Sequence, residues 1–253
     1  MIPKTLYTYF GGNLSWLRYM TIVSFKKFNP DWDIKVYYPK ELTLNVTWGT
    51  GEQGDEYDGH NWFEDLKEHA ELIEFDAETI GFSNDLPEVH KSGLFRHWVL
   101  STKGGVYCDM DILFFKPLVI PEGKKAIVCY SGDYFSDGFI GCEAGHPLMV
   151  KAFNHIKEQN TKEYQGFGPN IWNRYMPRTF SEDVWNIPMS LLYNYNSQNI
   201  HAMFSDKPAL FPVDSIGMHW YGGSPVTRRW EQIMLPDNYE HNIMISRVLR
   251  EVV

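Results

Sequence analysis

The sequence predicts one α/β domain with helices packed on a mostly parallel sheet, and three observations predict it. Short runs rich in β-branched and aromatic residues alternate with longer helical segments through the first half. Connections there are short, and Gly-Gly, Asn-Pro or Pro closes most runs. The length of 253 residues suits a single core of this class.

Each element follows from local signals. Residues 5–10 alternate and stop at Gly11-Gly12, which reads as a first strand. Residues 15–28 read as a helix ended by Asn29-Pro30, and residues 34–38 as a second strand closed by Pro39. Residues 48–60, rich in Gly and acid, read as a surface loop. A helix over 61–69 and a short strand over 72–75 follow. Pro87 opens the clearest helix and Gly104-Gly105 ends it. Residues 106–108 then form a strand, with 126–130 and 138–142 as further strands. Residues 146–157 and 239–253 read as helices, the last amphipathic.

Composition narrows the function. A net charge of −9 excludes a nucleic-acid backbone as the natural partner. Three cysteines, Cys108, Cys129 and Cys142, are odd in number and lack metal-ligand spacing, so they read as buried thiols. No signal-peptide h-region or membrane-length apolar run occurs, which implies a cytoplasmic protein. The sequons at Asn13 and Asn45 then read as chance matches.

The informative stretch is GGVYCDMDILFF, residues 104–115. Other acid-x-acid triplets in the chain, such as 31–33 and 74–76, lie beside turns or in polar company. Asp109 and Asp111 instead interrupt an apolar run at the carboxyl end of a strand, where α/β sheets bind ligands. In extended chain the two side chains share one side while Met110 packs behind. Two close carboxylates repel, and a hard cation such as Mn²⁺ or Mg²⁺ relieves this while bridging to phosphates. On the preceding helix Ser92 and Arg96, four residues apart, share a face that the Gly-Gly turn folds back towards the aspartates. The alternative for Arg96 is a structural pair with Asp109.

Together, Ser92, Arg96, Gly104-Gly105, Tyr107, Asp109 and Asp111 resemble the sugar-binding region of DXD-containing glycosyltransferases. The resemblance is strongest to the group of α-1,6-mannosyltransferases, α-1,4-galactosyltransferases and capsular polysaccharide enzymes of glycosyltransferase family 32. The segments IPKTLYTYFGG, FNPDWDIKVYYP, DGFIGCEAGHPLM, GFGPNIW and GMHWYGGS extend it collinearly from about residue 2 to 224. It implies a GT-A fold, with a nucleotide-sugar-binding half over about 1–115 and an acceptor half with a C-terminal segment over about 116–253. It further implies a retaining hexosyltransferase using a nucleoside diphosphate sugar (UDP-sugar first, GDP-mannose second), Mn²⁺ or Mg²⁺, and a glycan or other hydroxyl acceptor in polysaccharide biosynthesis.

Carried onto this chain, Asp111 ligates the metal directly, and Asp109 contacts ribose or sugar and reaches the metal through water. Arg96 contacts the donor sugar or Asp109. Ser92 and Tyr107 lie by the nucleotide, and Tyr7 or Tyr9 lines the base pocket. His219 reaches metal or diphosphate, and Ser224 the diphosphate. The chain departs from the group at Gly93, where an Asp that binds donor-sugar hydroxyls is usual, so Gly93 is expected to bear on donor choice. Were the reaction a double displacement, Asp133, Asp137 and Glu143 are the candidate carboxylates, although each reads first as a turn or surface acid. A non-catalytic sugar-nucleotide module is the alternative. A haloacid-dehalogenase-type phosphohydrolase fits less well, because DMDIL lies too far along the chain and too close to GDYFSD.

Overall fold

In the computed structural model, which describes residues 1–44, 46, 57–159, 161–196, 198–206, 211–241 and 243–253, the elements follow the alternation of the sequence. Strand β1 (Thr5–Tyr9) leads into helix α1 (Trp16–Phe28), whose N-cap Ser15 accepts from the Arg18 N–H. Strands β2 (Asp33–Pro39) and β3 (Glu71–Phe75) extend the sheet outward. Most of the acidic Gly-rich stretch, together with the sequon at Asn45, lies outside the described residues. The helix expected over 61–69 is only a 3₁₀ segment, Glu64–Glu68, closed by a bond from the Ala70 N–H to the Leu66 carbonyl just before β3 begins.

Helix α2 (Glu88–Lys103) starts directly after Pro87 and stops at Gly104. Gly104 and Gly105 have φ of +67° and +113°, so side-chain-bearing residues are strained there; the pair reverses the chain into strand β4 (Gly105–Cys108). Strand β5 (Ile112–Phe114) follows, then β6 (Ala126–Tyr130), β7 (Phe135–Cys142), helices α3 (Pro147–Lys157) and α4 (Pro169–Tyr175), and β8 (Val184–Asn186). Strand β9 (Gly217–His219) and helices α5 (Pro225–Ile233) and α6 (Met244–Val252) complete the chain.

Seven strands form one sheet in the order β3-β2-β1-β4-β7-β6-β8. The β1–β2, β1–β4, β2–β3 and β6–β8 pairings are parallel, and β7 runs antiparallel to both β4 and β6. The second half of the chain therefore continues the sheet of the first rather than forming a separate layer.

Alternation along the strands sends Leu6, Val36, Val106 and Cys108 towards α1. Tyr7, Tyr9, Tyr37 and Tyr107 point the other way, under α2, α3 and α4. A third cluster joins α1 to α6 through Leu113 and Met218 of a small antiparallel sheet, β5–β9. That small sheet brings the C-terminal segment to the carboxyl end of β4. The three cysteines are buried and unpaired with one another. Among the described residues, no helix is long and apolar enough to cross a membrane.

Candidate active site

Residues 109–111 are not extended, as the two-residue spacing suggested, but form the turn between β4 and β5. The apolar run is two strands in two different sheets, and the aspartates mark the break between them. Met110 is buried behind the turn, as expected. Asp109, Asp111 and His219 converge, with one candidate ligand atom from each lying within 4.8 Å of the others. His219 arrives because β9 pairs with β5 so that His219 stands opposite Ile112.

Two networks meet in this cluster. The first holds Asp109. Arg96 Nη2 donates to Asp109 Oδ1 at 2.9 Å and to Ser92 Oγ at 3.1 Å. The Tyr107 hydroxyl donates to the same Asp109 oxygen at 2.9 Å, and the guanidinium lies over the Tyr107 ring at 4.5 Å. Ser92, Arg96 and Tyr107 thus do share a face with Asp109.

The second network holds Asp111. His219 Nε2 lies 3.1 Å from Asp111 Oδ1, and the Gly222 N–H donates to Oδ2 at 2.8 Å. The Asp111 carbonyl also accepts from the Trp220 N–H at 2.9 Å. Tyr221 makes this return possible. With φ of +54°, it is the single non-glycine in the left-handed region among the described residues. Its hydroxyl donates to the Tyr195 carbonyl at 2.6 Å, which offsets that strain.

Electrostatics follow from burial and pairing. Burial alone raises the Asp111 carboxyl, but His219 beside it more than compensates and holds it at about 2. Burial lowers the imidazole, and the Asp111 carboxylate outweighs this, so His219 titrates above its usual range. Two buried polar atoms of this pair nonetheless lack hydrogen-bond partners: Asp111 Oδ1, whose contact with His219 has ion-pair distance but not hydrogen-bond alignment, and His219 Nδ1. A donor set of two carboxylates and an imidazole with open lone pairs fits Mn²⁺ or Mg²⁺.

Other expected residues take different places. The Tyr7 ring packs on Tyr37, with centroids 6.3 Å apart, and beside Gly105. Tyr9 sits among Phe75 and Phe95, its hydroxyl donating to Glu88 at 2.6 Å. Both tyrosines are core residues under α2, because even-spaced positions on β1 face that helix rather than the open end of the sheet. Ser224 caps α5, its Oγ accepting from the Val226 N–H. Of the three further carboxylates, Asp133 is exposed in the β6–β7 turn, and Glu143 pairs with the N-terminal amine and Lys125. Asp137 alone enters the site: Arg96 Nη1 donates to its carbonyl at 2.8 Å and lies 3.2 Å from its Oδ1. Burial pushes the Asp137 carboxyl up to about 6 against the pull of Arg96.

Sequence reasoning missed Tyr193 and Arg18. Tyr193 is buried against His219, with ring centroids 5.1 Å apart. Arg18 pairs with the buried Glu231 of α5 at 2.7 Å and stacks near Trp220, directly under the Gly222 turn. Neither residue lies in a motif, and both are brought in from distant segments.

Comparison with known proteins agrees with this geometry. Residues 20–128 match the family model described as "Glycosyltransferase sugar-binding region containing DXD motif". Among solved structures, the chain is similar to one titled "PaToxG Glycosyltransferase" (TM-score 0.50, 19% identity, covering 68% of this chain and 67% of that one). It is also similar to the apo glycosyltransferase GlyE of Streptococcus pneumoniae TIGR4 (TM-score 0.52, 10% identity, covering 100% of this chain and 61% of that one). No curated protein is matched by the sequence. The fold is GT-A, and fold, site and family match together support a glycosyltransferase of the DXD type.

Proposed function

We propose that this protein is a metal-dependent, retaining hexosyltransferase that takes a sugar from a nucleoside diphosphate donor, a UDP-sugar in the first instance. The observation that carries the reading is the convergence of Asp109, Asp111 and His219 beyond the carboxyl end of β4, with Arg96 clamping Asp109. The site belongs to the sheet edge where α/β proteins hold nucleotides. Asp111, Asp109 and His219 are the residues that would hold a Mn²⁺ or Mg²⁺ ion, which would supply positive charge to stabilise a departing diphosphate.

The chain's own residues do the rest. Tyr107 and Arg96 fix Asp109 in one orientation, so little reorganisation accompanies the reaction. With the cation bound His219 would be neutral, a ring nitrogen serving as ligand, while the Gly222 N–H holds Asp111 Oδ2 in place at 2.8 Å. Retention follows if the acceptor hydroxyl attacks from the face the diphosphate leaves, with a phosphate oxygen taking its proton. Family 32 membership and a role in surface polysaccharide synthesis are consistent with the motifs.

The test is hydrolysis of UDP-glucose, UDP-galactose, UDP-N-acetylglucosamine and GDP-mannose, followed by nucleotide release with and without Mn²⁺. Release from one donor, at least about 100-fold faster with Mn²⁺ than with EDTA, supports the reading. No release and no nucleotide binding from any donor overturns it.

A further inference from the structure

The Asp137 side chain is the feature of this site that the proposed function leaves unused. It is 4% exposed, its Oδ1 faces Arg96, and its Oδ2 is fully buried with no hydrogen-bond partner among the described residues. A buried carboxylate oxygen without a donor is costly, and such an arrangement is stable in use only when something delivers a donor. The Tyr193 hydroxyl close by is in the same condition, buried and unpartnered. Two glycines keep the space between these groups clear. A Cβ on Gly168 would stand 3.2 Å from Asp137 Oδ2. One on Gly138 would stand 2.5 Å from Asp109 Oδ2 and 3.2 Å from the Tyr193 hydroxyl.

Gly93 explains why the carboxylate comes from β7. A Cβ at Gly93 would lie 2.4 Å from the Phe167 carbonyl oxygen and 2.8 Å from its carbon, both backbone atoms. The segment that places Gly168 beside Asp137 therefore closes over this position of α2 and leaves no room for an acidic side chain there. The expectation that Gly93 bears directly on donor choice becomes a packing role: Gly93 admits the loop, and the loop sets Gly168 against Asp137.

We infer that Asp137, with the Tyr193 hydroxyl, binds hydroxyl groups of the donor hexose, a carboxylate supplied from β7 where α2 has no space for one. A hexose presents several adjacent O–H donors, and a carboxylate with a free oxygen accepts one or two of them. Arg96 ties this subsite to the metal side of the site, since one guanidinium contacts both Asp109 and Asp137. The inference rests on the proposed function, because it takes the ligand to be a nucleotide sugar.

The experiment compares UDP with UDP-glucose, and GDP with GDP-mannose, by calorimetric titration in Mn²⁺ for the wild type, Asp137→Asn and Tyr193→Phe. Asp137→Asn preserves shape and the carbonyl contact with Arg96, and its melting temperature verifies folding. For whichever nucleotide the wild type binds, Asp137→Asn is expected to hold the diphosphate within about twofold, weaken the nucleotide sugar about tenfold and slow donor hydrolysis by more. Donors lacking single sugar hydroxyls identify the contact, since the affected donor loses nothing further in the variant. Equal effects on diphosphate and nucleotide sugar, or none on either, overturn the inference while leaving the proposed function standing. A wild type that binds no nucleotide overturns both.

Discussion

Asp111 is both a candidate ligand and half of a buried pair, and the two roles separate experimentally. Against the upward push of burial, its carboxyl is held at about 2 chiefly by His219, with Arg18 and the Gly222 N–H adding to it, so the charged form is stabilised by folding. A depressed carboxylate contributes stability that is present above its unfolded value and lost as pH falls through the folded one. His219 contributes in the opposite sense: its raised value makes the pair strongest at low to neutral pH and weakens it as the imidazole loses its proton. Asp111→Asn should therefore lower apo-protein stability by about 2 kcal/mol in urea titrations at pH 6. It should also cut Mn²⁺-dependent donor hydrolysis at least about 1000-fold. A folded Asp111→Asn protein with near-normal turnover would remove Asp111 from the metal site. Repulsion with Asp109 alone would have predicted the reverse stability change, and the His219 contact, invisible in the chain order, decides the sign.

At the scale of elements, α2 is the organiser. Its second and third turns supply Ser92 and Arg96 to the site, and its buried face meets α4 through His97. The Trp172 indole N–H donates to His97 Nε2 at 2.8 Å, and His97 Nδ1 lies 2.6 Å from the Gly93 carbonyl, so the neutral ring donates there. Burial drives the imidazole down to about 3. Between pH 6.5 and 3 the unfolded chain binds a proton here that the native state does not. Stability is thus lost as pH falls through that window, by about 1.4 kcal/mol per unit from this group. His97→Leu should flatten that acid limb. It should also lower stability at pH 7 by about 1–3 kcal/mol, because Trp172 keeps a buried N–H without an acceptor. An unchanged acid limb in chemical denaturation would show that His97 is solvated and that the α2–α4 clip is not formed.

The whole molecule joins two sheets, and the joint is the site. The seven-stranded sheet carries Asp109 at the end of β4, while the small β5–β9 sheet carries His219 and leads to the Gly222-Gly223 turn. A ligand held across that joint, as proposed, would tie the C-terminal segment to the main sheet. Amides 217–224 should gain at least about tenfold protection from hydrogen exchange when UDP and Mn²⁺ are added together, and much less with either alone. Exchange that ignores both ligands would make His219 a core histidine and the turn a fixed support.

The sequence by itself determined the alternating elements, the mostly parallel sheet, the Gly104-Gly105 reversal and the pair of aspartates beside Ser92, Arg96 and Tyr107. These were legible because each rests on neighbours within about twenty residues: strand alternation, helix spacing and turn glycines are local. His219 was legible only as part of a collinear resemblance, since nothing near residue 219 says which strand it will pair with. The tertiary structure alone decided that Asp109 and Asp111 sit in a turn between two sheets, that Tyr7 and Tyr9 face α2, and that Gly93 receives the Phe167 backbone. It also brought Asp137, Tyr193 and Arg18 to the site. The physical reason is the same in each case. Which face a side chain takes, and which buried polar atom lacks a partner, depends on pairing and packing between segments far apart in the chain, such as Ile112 with His219, Cys108 with Phe139 and Gly93 with Phe167, and no local pattern of hydrophobicity or charge encodes those contacts.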